Sequence, residues 1–183
     1  MNREEAYALL KENLTNKNLL NHSLAVEAVM RRLAVNFDED VEKWGLAGLL
    51  HDIDYDRTKD DPHRHSLEGS EMLAELGLPE DVVYAVKVHN HIHGEPRVSL
   101  MDKALFAVDP LTGFIVAGAL IRPEKSLDAV EVPFLAKRFK EKAFARGANR
   151  ETMATYTELE LTFEEYLGVG LEAMKEISKE IGF

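Results

Sequence analysis

The sequence predicts an all-α protein that folds as a compact bundle of helices. Apolar residues recur every three or four positions along several segments, which is the spacing of one face of an α-helix. No segment shows the sustained alternation of apolar and polar residues that indicates a strand. Glycine, proline and helix-capping residues separate the periodic segments. Because 183 residues suffice for one sizeable core, a single domain over residues 1–183 is expected.

The composition narrows the classes of function. A net charge of −11 argues against a nucleic-acid polymer or a membrane surface as partner, because both need a basic footprint. A small anionic ligand is compatible, since a local metal or basic patch can override the global sign. Without cysteine, a metal site must use imidazole and carboxylate ligands. No signal peptide or apolar run of membrane-spanning length is expected, which predicts a cytoplasmic protein.

The first part of the chain predicts three helices, two of which carry a buried histidine. A first helix is expected over residues 3–13 and a second over residues 19–34, with a polar break between them. His22 is in phase with the apolar stripe of the second helix, so it faces the interior. The third helix is expected to start after Asp38, a favourable N-cap residue, and its apolar face leads in phase to His51.

A loop and two more helices follow. The segment over residues 54–65 is polar and charged and contains Pro62, which predicts a loop. A fourth helix is expected over residues 66–76, where a glycine stops it. The fifth begins beside Pro79, and its apolar stripe leads to His89 at the i+7 position, so this histidine also points inward.

The rest of the chain predicts a long apolar helix and two shorter ones. A capping box opens the long helix, which runs over residues 99–120. Pro110 lies inside it and is expected to kink it, so that Asp109 sits at the bend. Further helices are expected over residues 133–147 and over residues 162–182.

Six residues with metal-binding side chains occupy positions that can converge: His22, His51, Asp52, His65, His89 and Asp109. Two imidazoles and two carboxylates, those of His22, His51, Asp52 and Asp109, would serve one ion. His65 and His89 would add ligands for a second ion, with Asp52 free to bridge. This mixed set favours iron or manganese, one or two ions, with zinc, nickel, cobalt and magnesium as alternatives.

Each of these residues also has a purely structural interpretation. His22 alone is explained by a hydrogen-bonded histidine in the core. His51 with Asp52 is explained by a histidine that complements the helix dipole beside a capping carboxylate. Asp109 is explained by hydrogen bonds to backbone groups that Pro110 frees. The joint pattern, rather than any single residue, favours a metal centre.

The order of His22, the His51-Asp52 pair and Asp109 on helices resembles the HD-domain superfamily of metal-dependent phosphohydrolases. The additional His65 and His89 resemble its two-metal subset. That resemblance implies an HD-type core over about residues 18–120 and a family-specific helical extension over about residues 121–183.

Two local elements carry the resemblance to the two-metal subset, with substitutions. His65-Ser66-Leu67-Glu68-Gly69 is similar to a His-Pro-x-x-Gly element, and Val88-His89-Asn90-His91 is similar to a histidine doublet. Asp54 stands where the His-Asp-Ile-Gly form of the motif has glycine. Ser66 and Asn90 replace the proline and the second histidine.

The expected activity is hydrolysis of a small phosphate ester or nucleotide by a hydroxide held on the metal, which also clamps a phosphoryl oxygen. Asp52 and Asp54 are the predicted catalytic residues, and Asp56 and His91 are candidates for a supporting role around the ligands. Positive side chains for an anionic, phosphorylated substrate are predicted at Arg122, Lys125, Lys137 and Lys140. A solvated loop carboxylate, or a solvated basic face, is the alternative for each.

Two other classes of function share these features. The first is a di-iron oxygenase of the same fold, whose ligand set does not differ from that of a hydrolase. The second is a non-catalytic domain that binds a ligand or partner and is stabilised by a metal with a closed coordination sphere. Neither the substrate, the native metal nor the oligomeric state follows from the sequence.

Overall fold

The computed structural model describes residues 1–183 and contains ten α-helices, three short 3₁₀ helices and no β-strand, which confirms the all-α prediction. The α-helices are α1 (Arg3–Asn13), α2 (Lys17–Asn36), α3 (Val41–Leu50), α4 (Tyr55–Thr58), α5 (Leu67–Glu75), α6 (Glu80–Val88), α7 (Leu100–Leu120), α8 (Val132–Phe139), α9 (Arg150–Ala154) and α10 (Phe163–Glu176). The 3₁₀ helices are His91–His93, Leu127–Ala129 and Thr155–Leu159.

Helices α2 and α7 lie at the centre of the bundle. Helix α2 packs against α3, α7 and α10, and α7 also packs against α6 and α9. Buried apolar side chains from Ala6 to Ile181 form one continuous cluster of 42 residues. The helices that carry the candidate ligands therefore share a single core, and small shifts between them are resisted by close packing.

Helices α2 and α3 approach each other closely at Gly48. A Cβ atom added there would lie 2.9 Å from Cα of Glu27 and 3.0 Å from Cγ of Met30. The Glu27 carboxylate at this contact is buried and accepts hydrogen bonds from Arg3 at 2.7 Å and Arg31 at 2.8 Å. This contact brings the C-terminal end of α3 beside the second turn of α2.

Two boundaries in the first part of the chain differ from the prediction. Asp38 does not cap α3: its φ of +56° is left-handed, and it ends α2, with the Glu39 N–H donating to the carbonyl of Ala34. Asp40 is the N-cap, accepting from the backbone N–H groups of residues 42 and 43. The predicted loop over residues 54–65 contains the single-turn helix α4.

Helix α7 forms with the predicted capping box between Ser99 and Asp102 and continues through Pro110 to Leu120. An 18-residue window of this 21-residue helix has a mean hydropathy of 1.5, so the helix is long and apolar enough to cross a membrane, and the expectation that no such run exists was wrong. Other helices bury 61% of this stretch. The core helix of a soluble protein passes the same test, so length and hydropathy are weak grounds for a membrane span.

The predicted helix over residues 133–147 is wrong in its second half, because α8 ends at Phe139. Phe139 and Phe144 both pack edge-on against Phe114, at centroid distances of 6.1 and 5.4 Å. Residues five apart on a helix point about 140° away from each other, so a continuous helix cannot direct both rings to one partner. The chain turns instead, and the Arg150 side chain donates to four backbone carbonyls of residues 139–148.

The last part of the chain also differs from the prediction. Helix α9 and the 3₁₀ helix that follows it were not predicted. Helix α10 begins with the expected capping box at Thr162 and Glu165, but it ends at Glu176. Gly182 lies beyond it, in a turn with a left-handed φ of +92°.

We expect Gly48→Ala to lower the free energy of unfolding by about 1–3 kcal/mol, because α2 and α3 would have to separate to admit the methyl group. Gly113→Ala is the control: this α7 position has no atom within 4 Å of the added Cβ, and alanine favours helix by up to about 1 kcal/mol. Urea denaturation of both variants measures the difference. Equal stabilities would contradict the close approach of α2 and α3.

Candidate metal centre

The six predicted ligand residues lie together at the meeting point of five segments. They are His22 on α2, His51 and Asp52 at the end of α3, His65 before α5, His89 at the end of α6 and Asp109 in α7. His51 and His89 follow the last residue of their helices in phase with the apolar faces, as predicted. Packing of these apolar faces in the core therefore also places the two imidazoles in the interior.

The Nε2 atom of His22 and three neighbouring ligand atoms form a first group. This atom is 3.0 Å from Oδ1 of Asp109, 3.2 Å from Nε2 of His51 and 3.8 Å from Oδ2 of Asp52. His51 Nε2 is in turn 3.4 Å from the same Asp52 oxygen and 3.8 Å from Asp109. Ligands that bind one ion at about 2.0–2.2 Å lie about 3–4 Å from one another, so these spacings suit a common cation.

The other oxygen of Asp52 faces a second group. Its Oδ1 lies 3.3 Å from Nε2 of His65 and 3.5 Å from Nε2 of His89. Each oxygen of one carboxylate thus faces a different pair of imidazoles. This is the arrangement of a carboxylate that can bridge two ions.

The outer nitrogens of His51 and His89 are bound by backbone carbonyls. The Nδ1–H group of His51 donates to the carbonyl of Gly48 at 2.8 Å, and that of His89 donates to the carbonyl of Val86 at 2.6 Å. These carbonyls belong to the last helical turns, where no intrahelical partner remains. Because a carbonyl only accepts, each neutral ring carries its hydrogen on Nδ1 and directs the lone pair of Nε2 into the cluster.

Side chains fix the other two imidazoles. The Nδ1–H group of His65 donates to Oδ1 of Asp54 at 2.9 Å. The Nδ1–H group of His22 donates to Oγ1 of Thr112 at 3.0 Å, while the Thr112 hydroxyl donates to the carbonyl of Asp109 at 3.1 Å. All four imidazoles therefore present Nε2 inward.

The side chains fit a divalent cation. Nε2 of His89 is buried and has no hydrogen-bond partner. The facing Nε2 atoms of His22 and His51, each with its hydrogen on the other ring nitrogen, would oppose two lone pairs at 3.2 Å. Cations in the cluster would give Nε2 of His89 a partner and would separate the opposed lone pairs of His22 and His51. A mixed imidazole and carboxylate set is suited to such an ion.

The titration behaviour of the cluster agrees with this interpretation. Burial lowers the pKa of His51 to about 4, so the ring is neutral, as a ligand must be. Burial also opposes a charge on His22, but its hydrogen bond and attraction to Asp109 raise the pKa of His22 above the ordinary value. Burial alone would raise the pKa of Asp52, but attraction to His51, His89 and His22 lowers it. The carboxylates thus draw positive charge into the cluster.

Asp54, a predicted catalytic residue, lies behind His65. Its carboxylate is fully buried and accepts from the His65 ring, from the Ser66 N–H at 2.8 Å and from the Gly69 N–H at 2.9 Å. A Cβ atom at position 69 would come within 3.2 Å of the carboxylate carbon. Asp54 therefore acts as a positioning residue for His65 in this structure, and the proposed role as a base stays a prediction.

Asn90 and His93 hold the same loop from the other side, and sequence reasoning missed this role of Asn90. The Asn90 amide donates to the carbonyls of Pro62 at 2.8 Å and His65 at 3.1 Å, and Nε2 of His93 donates to the His65 carbonyl at 2.8 Å. His91 was the predicted supporting residue, but it is exposed. The sequence feature that could have drawn attention to Asn90 is its position, where the similar motif has the second histidine of the doublet.

Asp56, the other predicted supporting residue, makes no contact with the cluster. Its Oδ2 atom accepts from the N–H and the hydroxyl of Thr15, at 2.7 and 2.9 Å, and ties α4 to the α1–α2 connection. These hydrogen bonds lower its pKa below the ordinary value. Asp56 thus makes a structural contact away from the cluster, and its supporting role stays a prediction.

The predicted substrate-binding cations lie at different places. Lys137 and Lys140 are exposed and line a small cavity with Pro133 and Glu164, separate from the one that reaches the cluster. The Arg122 guanidinium lies over the Phe134 ring at 5.2 Å. Their role in substrate binding stays a prediction.

The exposure of the cluster is largest at His22 and Asp109. The side chains of His22 and Asp109 are 23% and 35% exposed, whereas His51 is fully buried and His89 is 2% exposed. A cavity of about 660 Å³ opens beside His22 and Thr112, between α2 and α7. Of the six cluster residues, His22 is the one that lines this cavity, beside the Thr112 hydroxyl that accepts from its Nδ1–H group.

Comparison with known proteins identifies the family. The HD domain family model matches residues 19–125, which is more than half of the chain. The chain therefore belongs to the HD-domain family, which is a family of the metal-dependent phosphohydrolase type. The matched range contains all six residues of the cluster.

Individual relatives are similar over part of their length. The chain is 29% identical to Ribonuclease Y of Lawsonia intracellularis over 74% of its own length and 26% of that protein. It is 33% identical to Ribonuclease Y of a Nitratiruptor species, again over 74% of its own length and 26% of the relative. An uncharacterized protein of Methanocaldococcus jannaschii is 37% identical over 49% of this chain and 54% of that protein. The chain thus spans about a quarter of the Ribonuclease Y relatives.

We expect Asp54→Asn to weaken metal binding by about 10–100-fold, because the amide cannot hold the His65 ring and two backbone N–H groups as the carboxylate does. Asp60→Asn, at an exposed residue of the same loop, is the matched control and should bind metal normally. Titration calorimetry with Mn²⁺ measures both. An Asp54→Asn variant that is folded and binds Mn²⁺ as tightly as the control would contradict the positioning role.

Proposed function

We propose that the protein is a metal-dependent phosphohydrolase that acts on a small phosphate ester or nucleotide. The observation that supports this most directly is the Asp52 carboxylate, whose two oxygens face separate pairs of imidazole nitrogens at 3.3–3.8 Å. Hydrolysis of phosphate esters is a reaction for which two adjacent cations are well suited.

The chain's own residues would divide the work of binding. His22, His51 and Asp109 would hold one ion, His65 and His89 a second, and Asp52 would be shared between them. Such ions supply a water that is acidic enough to act as nucleophile near neutral pH, and they neutralise charge on the phosphoryl oxygens. Iron or manganese is our first choice for a mixed nitrogen and oxygen set, with zinc, nickel, cobalt and magnesium as alternatives.

The surroundings would confine the reaction to one side. His51 and His89 are enclosed by the core, so water and substrate would enter past His22 and Asp109. Hydrogen bonds to Thr112 and Asp54 would keep the rings of His22 and His65 oriented during turnover. Such rigid support holds the reacting groups in position without reorganisation.

An RNA phosphodiester is a second candidate substrate, favoured by the similarity to proteins named Ribonuclease Y. The net charge of −11 weighs against a polymer, because affinity for a nucleic-acid polymer comes largely from lysines and arginines that neutralise its phosphates. We therefore prefer a small phosphate ester, and the cytoplasmic location stays a prediction. Assays on a short single-stranded RNA and on mononucleotides, run side by side, separate the two substrates.

The two other classes make different predictions. A di-iron oxygenase would consume oxygen with an organic substrate and would hydrolyse no phosphate ester. A non-catalytic domain would bind its metal with a closed coordination sphere and show neither activity. Elemental analysis with an oxygen electrode identifies the oxygenase, and exchange of bound water distinguishes the non-catalytic domain.

We expect Asp52→Ala to reduce hydrolysis of phosphomonoesters and nucleotides by about 10³-fold or more, because the ligand common to both groups is lost. Activity is measured in the Mn²⁺ and Fe²⁺ forms, with circular dichroism to show that the helices are retained. Asp60→Asn, which changes an exposed carboxylate outside the cluster, should keep full activity. A folded Asp52→Ala variant with normal turnover, or an unmodified protein without hydrolysis of any phosphate ester, would refute the proposal.

A further inference from the structure

The cavity between α2 and α7 adjoins the metal centre through the side chain of His22. Its 13 lining residues come from the first turns of α2, the middle of α7, the turn after α7 and residues 181–183. The volume of about 660 Å³ lies within the range of pockets that bind small molecules. A molecule in this cavity would contact His22, whose Nε2 atom belongs to the cluster, beside its hydrogen bond to Thr112.

The charge of this cavity is opposite to that of the protein. Lys17 and Lys125 both line it, and neither forms an ion pair. None of the 13 lining residues is aspartate or glutamate, although the chain has 33 acidic residues. Two unpaired ammonium groups in a lining without acidic side chains attract an anion even in an acidic protein.

A tight turn places one of these lysines. Lys125 has a left-handed φ of +47°, and its N–H group donates to the carbonyl of Arg122 at 3.0 Å. The turn therefore brings the chain back towards the cavity at the end of α7. Lys17 is the first residue of α2, five positions before His22, so the two cations come from separate elements.

Apolar side chains form the rest of the lining. Ala25 on α2 and Val116 and Leu120 on α7 contribute to it, and Leu120 is 54% exposed. Exposed apolar surface in a concave site is typical of a binding pocket. Gly113 leaves space on the α7 side, because a Cβ atom there would meet nothing within 4 Å.

We infer that this cavity binds the alcohol portion of the phosphate-ester substrate, and that this portion carries an apolar ring and a second anionic group. The inference rests on the proposed hydrolase function, which places the reacting phosphate at the cluster. The apolar residues would contact the ring, and Lys17 and Lys125 would bind the second anion. A phosphate ester with an uncharged, fully polar alcohol would lack both contacts.

A binding experiment on the metal-loaded full chain tests the cavity without requiring turnover. The probe is a fluorescent naphthol sulfonate, which has an aromatic ring and an anion but no phosphate ester to cleave. The double variant Lys17→Met/Lys125→Met should weaken its binding by about tenfold or more. Gly113→Leu should reduce binding at least as much by filling the space, and this helical substitution should not destabilise the fold.

Lys11→Met is the matched control, because it removes one exposed lysine of α1 outside the cavity and should leave binding unchanged. Equal binding by the control, the double variant and Gly113→Leu would overturn the inference. So would failure of the unmodified protein to bind the probe at millimolar concentration.

A second measurement uses two substrates, naphthyl phosphate and its ring-sulfonated derivative. The lysine double variant should lower kcat/KM by about tenfold for the sulfonated ester and by less than twofold for the other, whereas Gly113→Leu should lower both. A parallel loss for both esters in the double variant would overturn the assignment of the second anion to these lysines. A protein that binds the probe but hydrolyses neither these two esters nor any other phosphate ester would refute the proposed hydrolase function, and the comparison of probe binding between the variants would still test the cavity.

Discussion

The Asp52 carboxylate, placed between two pairs of imidazoles, is the constraint on which the surrounding structure depends. Four Nε2 lone pairs directed at one buried region repel one another unless positive charge lies among them. The two oxygens of Asp52 divide the region, one facing His22 and His51 and the other facing His65 and His89. Helices α2, α3 and α6 and the loop that carries His65 must therefore meet at this region. The packing of the bundle holds them there.

The rigidity of the cluster comes from groups that do not face the ions. Carbonyls at the ends of α3 and α6 hold two rings, and Asp54 and Thr112 hold the others. The close contact at Gly48 fixes the separation of α2 and α3. Because the supporting groups belong to packed helices and buried hydrogen bonds, the ligand geometry is largely formed before an ion binds, which lowers the cost of binding.

Opposite electrical environments meet at the edge of this centre. The buried side concentrates carboxylates and imidazoles that attract cations, whereas the α2–α7 cavity is lined by Lys17 and Lys125 and by no acidic side chain. In a chain of net charge −11 this separation favours binding of a small anion at the cavity. The HD-domain family relationship accounts for the cation-binding side, and the cavity is where substrate preference would arise.

The sequence alone determined the helical class, the inward phase of His22, His51 and His89, and the residue types available to a metal, because these follow from local periodicity and side-chain chemistry. Only the tertiary structure decided that Asp54 supports His65, that Asn90 holds the loop and that α8 ends at Phe139. Those outcomes depend on hydrogen bonds and ring contacts between residues distant along the chain or turned out of helical phase. A one-dimensional pattern does not encode such distances, whereas close packing of α2, α3, α6 and α7 sets them.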